Sequence, residues 1–209
     1  MCIVSPLSNE GSERPRMTPE KATLPFQSAA AIRYHAYQNS KERLVKEIFT
    51  ATELEAQRCW GDPDLWDEAR MARLIWDHIP EQYHERIESA PFFFIATANA
   101  RGECDCSFKG GGPNLVRVTD GKHLAFPDFD GNNAFMTLGN ILDNPHVGIL
   151  FIDFQDGARL RVNGRATIHD QGEPLTWFEH AQRVVCVEIA QVVPNCANFV
   201  PQLAPVKGA

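Results

Sequence analysis

"PFFFIATANARGECDCSFKGG", residues 91–111, reads as two strands folded back on each other. Phe92–Ala98 is an aromatic and apolar run, and Asn99-Ala100-Arg101-Gly102 supplies turn chemistry. An extended pattern resumes at Glu103–Lys109, so the stretch predicts a hairpin. Its second strand then stops abruptly at Gly110-Gly111-Gly112-Pro113. In an extended chain Ser107 and Lys109 share a face, so a hydroxyl and an ammonium point into one cleft. Glycines beside them permit close backbone approach and positive φ. The combination suits a flat ligand resting on main chain, with an anionic group near the ammonium. It also suits a tight turn beside a surface lysine, because glycines punctuate turns generally.

Downstream the period stays that of strands. "NLVRV" (114–118) and "HLAFP" (123–127) flank Thr119-Asp120-Gly121-Lys122, a second hairpin turn. "HVGILFID" (146–153) is apolar on both faces and belongs in the middle of a sheet. "ARLRVNGRATI" (158–168) alternates, with Leu160, Val162, Ala166 and Ile168 inward and Arg159, Arg161, Asn163 and Arg165 outward. "RVVCVEIAQVV" (183–193) closes the set. One helix interrupts the strands: Asn132 or Asn133 is its expected cap, Phe135, Leu138 and Leu142 its stripe, and Asn144-Pro145 its end. Short strands in hairpins predict a small antiparallel barrel of at least six strands.

Upstream, roughly the first 90 residues read as helical. Asp62 is an expected N-cap, Pro63 suits the first helical position, and Asp64, Asp67 and Glu68 lie near the positive end. Leu65, Ala69, Ala72, Ile75 and Ile79 then trace one face up to Pro80. Short helices are also expected over Glu81–Glu88 and Arg43–Ala56, with Trp60, Trp66 and Trp76 as packing groups. The expected organisation is a flexible leader (1–27), a helical extension (28–90), a barrel domain (91–200) and a tail (201–209).

Composition narrows the partners. A net charge of −7 argues against duplex nucleic acid. No run approaches the roughly 18 apolar residues of a membrane span. The first residues lack a basic stretch followed by a long apolar one, so a secretory signal is not expected. Six cysteines (2, 59, 104, 106, 186 and 196) read as reduced thiols of a cytoplasmic protein. Cys104 and Cys106 have no partner motif for zinc, and His123, His146, His169 and His180 lack metal-ligand spacing. Ser107 has no nucleophile elbow around it. Cys196, in Pro-Asn-Cys, is expected to be an ordinary cysteine.

Four segments, "PFFFIATANARGECDCSFKGG", "LAFPDFDGNN", "TLGNILDNPHVGILFIDF" and "LRVNGRA", occur in one order within residues 91–168. They resemble the FMN-binding split-barrel family related to pyridoxamine 5′-phosphate oxidase. Asp105–Gly110 with the following F-P-D and G-N, together with "VVPNCANFVPQL", looks like that family's predicted flavin-nucleotide-binding subgroup. The resemblance implies an α+β, mainly β fold: a six-stranded antiparallel split β-barrel with a helical N-terminal extension. It implies a homodimer holding FMN at the subunit interface and acting on a small-molecule redox substrate, with NAD(P)H as a candidate donor.

Carried over by position, Ser107, Lys109 and Gly110 would lie along the FMN, and Phe126, Pro127 and Asp128 would border it. Asn132, Thr137 and Asn140 would lie near its phosphate. Arg159 falls where the oxidases place a residue reaching the flavin ring, and Arg161 shares its face. Those arginines equally suit a solvated strand face. Two departures stand out. "NNAFMT" lacks the basic pair that usually meets the FMN phosphate, and "NFVPQLAPVKGA" lacks the arginine- and histidine-bearing segment that holds the vitamin's phosphate. Vitamin B6 oxidation is therefore not the expected reaction. No side chain is assigned as a general acid or base. The rival readings are a flavin-binding module without turnover, and a barrel that holds deazaflavin or haem.

Overall fold

A computed structural model describes residues 48–204, which fall into two compact units divided between Met71 and Ala72. The expected leader, the start of the helical extension and residues 205–209 lie outside the described residues.

In the first unit, α1 (Ala51–Trp60) begins at Thr50, whose hydroxyl accepts from the Glu53 N–H while the Glu53 carboxylate accepts from the Thr50 N–H. This reciprocal pairing fixes the start of α1 at Thr50, and the first residues of the helix expected over Arg43–Ala56 lie outside the described residues. A 3-10 turn over Pro63–Leu65 follows, and Asp62 caps it as expected by accepting from the Asp64 N–H at 3.0 Å. The long helix expected from there to Ile79 does not form. A separate helix, α2, spans only Glu68–Leu74. Two of the tryptophans depart from, or refine, the packing expectation. Trp60 is 84% exposed, whereas Trp66 packs edge-on to Phe49 and lies under the Arg70 guanidinium at 5.0 Å.

The helix stops because Trp76 pairs with a strand instead. Its N–H donates to the Val192 carbonyl at 3.0 Å, and the Val192 N–H donates back at 2.7 Å. Beyond it, Asp77 binds the Lys122 ammonium at 2.6 Å. That hydrogen bond, with one from His78, holds the Asp77 carboxyl down to about 2. Glu81–Tyr83 is a 3-10 turn leading into α3 (His84–Glu88), close to the expected short helix.

Seven strands form one antiparallel sheet, one more than the expected six. They are β1 (Phe92–Ala98), β2 (Cys104–Gly110), β3 (Arg117–Asp120), β4 (His123–Asp128), β5 (His146–Ile152), β6 (Arg159–His169) and β7 (Arg183–Asn195). The order β2-β1-β5-β6-β7-β4-β3 leaves β2 and β3 as unclosed ends, the architecture of a split barrel. Residues on the concave side alternate as the sequence predicts: Phe93, Ile95, Val147, Ile149, Leu160, Val162, Val185 and Val187 are all buried in one cluster. Ile79 and Ile87, from the segment before β1, join that cluster. A smaller one, Ala125, Phe178 and Val184, covers the other side of β4 and β7.

The sheet curls at a bulge. Asn163 opposes Gln191 but Gly164 opposes Ile189, so Ala190 has no partner on β6. At Gly164 a β-carbon would sit 2.2 Å from the Glu188 carbonyl oxygen, which no side chain allows. The glycine of "LRVNGRA" is thus required by close strand approach. Gly164→Ala is expected to destabilise the fold by about 1–3 kcal/mol or more, read as a lowered urea midpoint. Gly148→Ala, where the nearest atom is a side-chain oxygen at 3.3 Å, should cost less.

Candidate functional site

At the unclosed edge, β2 has no strand neighbour beyond it. Ser107 and Lys109 pair with Ile95 and Phe93, so both side chains sit on the concave side. The gap is filled by α4 (Met136–Asp143), which lies against β1, β2 and β6. Its buried residues are Thr137, Leu138 and Ile141. The expected stripe is corrected: Leu138 holds, whereas Leu142 is 79% exposed and Phe135 46%.

The helix start is corrected too. Asn132 does not cap it; its carboxamide oxygen accepts from the Ala134 N–H at 3.0 Å, forming a local turn. Asn133 and Phe135 both adopt the left-handed region, with φ of 58° and 50°. The cap position falls to Phe135, which supplies no side-chain hydrogen bond. The first amides of α4 are left without the usual side-chain acceptor.

Between β2, the end of β4 and the start of α4 lies a cavity of about 390 Å³. It gathers seven of the expected residues: Ser107, Lys109, Gly110, Pro127, Asp128, Asn132 and Thr137. The glycine bend borders it. Gly112 takes φ 83° and, like Gly111, donates its N–H to the Pro91 carbonyl, returning the chain to the foot of β1. The bend therefore serves the turn, and its first glycine, Gly110, lines the cavity.

Inside, Thr137 Oγ1 donates to Ser107 Oγ at 3.1 Å, and Ser107 Oγ donates to Asp105 Oδ2 at 3.0 Å. Both hydroxyl protons are committed to this relay. Among the described residues the Lys109 ammonium has no hydrogen-bonded or ionic partner. Lys109 and Asp128 are the only charged side chains of the lining. Asp128 is held by Arg183, whose Nε and Nη2 each lie 2.9 Å from its Oδ2. The Arg183 guanidinium also lies 5.0 Å from the Phe135 ring centroid.

Four expected residues stand outside the cavity lining. Phe126 is in the core, edge-on to Phe93 at 5.0 Å. Asn140 donates to Thr97 Oγ1 at 3.0 Å, tying α4 to β1. Arg159 Nε donates to the Cys196 carbonyl at 3.2 Å, and Arg161 is exposed on the convex side of β6. Sequence reasoning missed Leu115, Phe129, Phe135 and Met136 as apolar lining, and Arg183 as the partner of Asp128. Arg183 sits directly opposite Asp128 in the β4–β7 register, a pairing no local motif reveals. Among the described residues no cluster of His, Cys, Asp or Glu could hold a metal, and no helix is long and apolar enough to cross a membrane.

An unclosed antiparallel barrel with a polar cavity at its split defines the class. The pyridoxamine 5′-phosphate oxidase family model matches residues 79–196, and the chain belongs to that family. No curated protein matches it. Similar solved structures include HupZ of Group A Streptococcus, 17% identical over 60% of this chain and 100% of that one, with a TM-score of 0.47. An FMN-binding protein of Syntrophomonas wolfei is 9% identical over 55% and 82%, with a TM-score of 0.41. An FAD-binding protein of Mesorhizobium loti is 14% identical over 58% and 96%, with a TM-score of 0.38.

Asn140 is an anchor for α4 in this geometry. Asn140→Ala is expected to cost about 1 kcal/mol of stability, measured by urea unfolding.

Proposed function

We propose that the cavity binds FMN and that the protein is an FMN-dependent oxidoreductase acting on a small molecule other than pyridoxamine phosphate. The observation that carries the reading is the Lys109 ammonium, unpartnered among the described residues, in a cavity that also receives the uncapped start of α4. A cation and free amides at a helix start suit a phosphate monoester. Apolar Leu115, Phe129 and Met136 beside bare glycine backbone suit a planar ring. The volume lies within the roughly 300–1,000 Å³ of small-molecule sites, and membership of the family supports the same cofactor. When bound, the flavin supplies the redox chemistry itself.

The residues present fit that group, and each has a task. Lys109 neutralises phosphate charge in place of the missing basic pair. Thr137 and Ser107 can turn their hydroxyls from the relay toward an oxygen. Gly110 adds no side chain to the wall, and Pro127 and Asp128 bound the opposite side.

The same reading includes a homodimer. On the convex face, Phe108, Phe94 and Leu150 lie in one cross-strand row, with Phe92 and Ile152 in the next. Phe108 is 60% exposed, and Phe92 stacks on it at 5.3 Å. Such a contiguous apolar face is suited to a second copy. Arg161, directly across from Leu150, would be carried by that contact toward the partner, as would Arg159 beside Ile152. This gives both arginines a route to a flavin they do not reach within their own subunit.

Purified protein is expected to be yellow and to bind FMN, with reduction by NAD(P)H and reoxidation by a substrate. Flavin binding without turnover would mark a carrier module instead, and a deazaflavin or haem spectrum would displace FMN. Lys109→Ala should weaken FMN binding by about one to two decades without unfolding the barrel, with Asn132→Ala smaller in effect. Unaltered affinity in a fluorescence titration overturns the role of Lys109. For the dimer, Phe94→Glu/Phe108→Glu should halve the mass measured by light scattering.

A further inference from the structure

The cavity poses an electrostatic problem that its own lining does not solve. Lys109 and Asp128 are its only charged lining residues, so on formal charge they cancel, and a bare Asp128 carboxylate would repel an incoming dianion. Arg183 is not part of the lining, yet it stands directly behind Asp128. Its Nε and Nη2 both bind Oδ2 at 2.9 Å, and the two side chains are only 17% and 29% exposed. With Arg183 and the Asp105 carboxylate that accepts from Ser107 both counted, the site is neutral on formal charge, and without Arg183 it would be negative.

A second contact comes from the same guanidinium. It lies 5.0 Å from the ring centroid of Phe135, the left-handed residue from which α4 starts. A left-handed conformation is costly for a bulky side chain, so something must hold it. One arginine therefore pairs with the cavity's acid and contacts the residue from which α4 starts.

We propose that Arg183 makes this cavity accept an anion. It acts as a positioning residue, through Asp128, without itself touching the ligand. The inference rests on the reading of the cavity as an FMN phosphate site and deepens it: the ligand class is a phosphate monoester, and its acceptance depends on a masked carboxylate.

The test is a set of fluorescence titrations with FMN, riboflavin and inorganic phosphate as competitor, on wild type, Arg183→Ala and Asp128→Asn/Arg183→Ala. Masking requires Arg183→Ala to lose FMN affinity by about tenfold or more, with riboflavin affinity unchanged. Removing the uncovered carboxylate in the double variant must then restore FMN binding, which a merely structural role would not do. A loss that persists in the double variant overturns the inference, as does an Arg183→Ala variant that binds FMN like wild type; either leaves the FMN reading standing. A wild type that binds neither FMN nor phosphate, or treats FMN and riboflavin alike, overturns both. If Arg183→Ala fails to fold, the double variant decides alone, since it buries no lone carboxylate. Affinity near wild type supports masking, and a loss of about tenfold or more sinks it.

Discussion

An unclosed sheet ends in strands whose outer sides must be met by something other than a strand. Here the end strand β2 places Ser107 and Lys109 on the concave side, facing a gap that one short helix fills only partly. The candidate site lies in the remainder of that gap. A closed barrel would bury the ammonium or exclude it. A longer α4 beginning at Asn132 would occupy the space that the turn over Asn132–Phe135 leaves open. The cavity is therefore the residue of two imperfect fits, a sheet that stops and a helix that starts late.

The strand half of the fold was legible because it follows period-two burial closely. β5 sits between β1 and β6, as a run apolar on both faces should, and β6 points its arginines away from the core. The helical half was less legible. Thr50 begins a helix with a reciprocal cap inside the segment read as one helix, and the segment after Leu74 left its helical period to pair with β7. Both outcomes turn on hydrogen bonds: a local cap in one case, a contact over a hundred residues away in the other. Periodicity records neither.

The candidate site was legible where its lining rests on local backbone. Ser107-x-Lys109-Gly110 could be read directly, because strand alternation and glycine freedom decide what those residues can do. Asn132 misled, since an asparagine that satisfies its own neighbour's amide is unavailable to the helix beyond it. Phe126 and Asn140 lie close to the cavity in sequence but turn to packing and anchoring. Arg183 was invisible for the opposite reason: its contact with Asp128 comes from cross-strand register, fifty-five residues away.

The two-way bridge between Trp76 and Val192 bears on where this folding unit starts. On that side of β7, β4 pairs only as far as Glu188, so the backbone beyond it is met from outside the sheet. A shortened chain opening at Pro91 would strip the amide and carbonyl of Val192 of their partners and leave the hollow once filled by Ile79 and Ile87 exposed to water. The smallest autonomous piece must reach back past Trp76, so that what looks like a lead-in to the barrel is one of its staves.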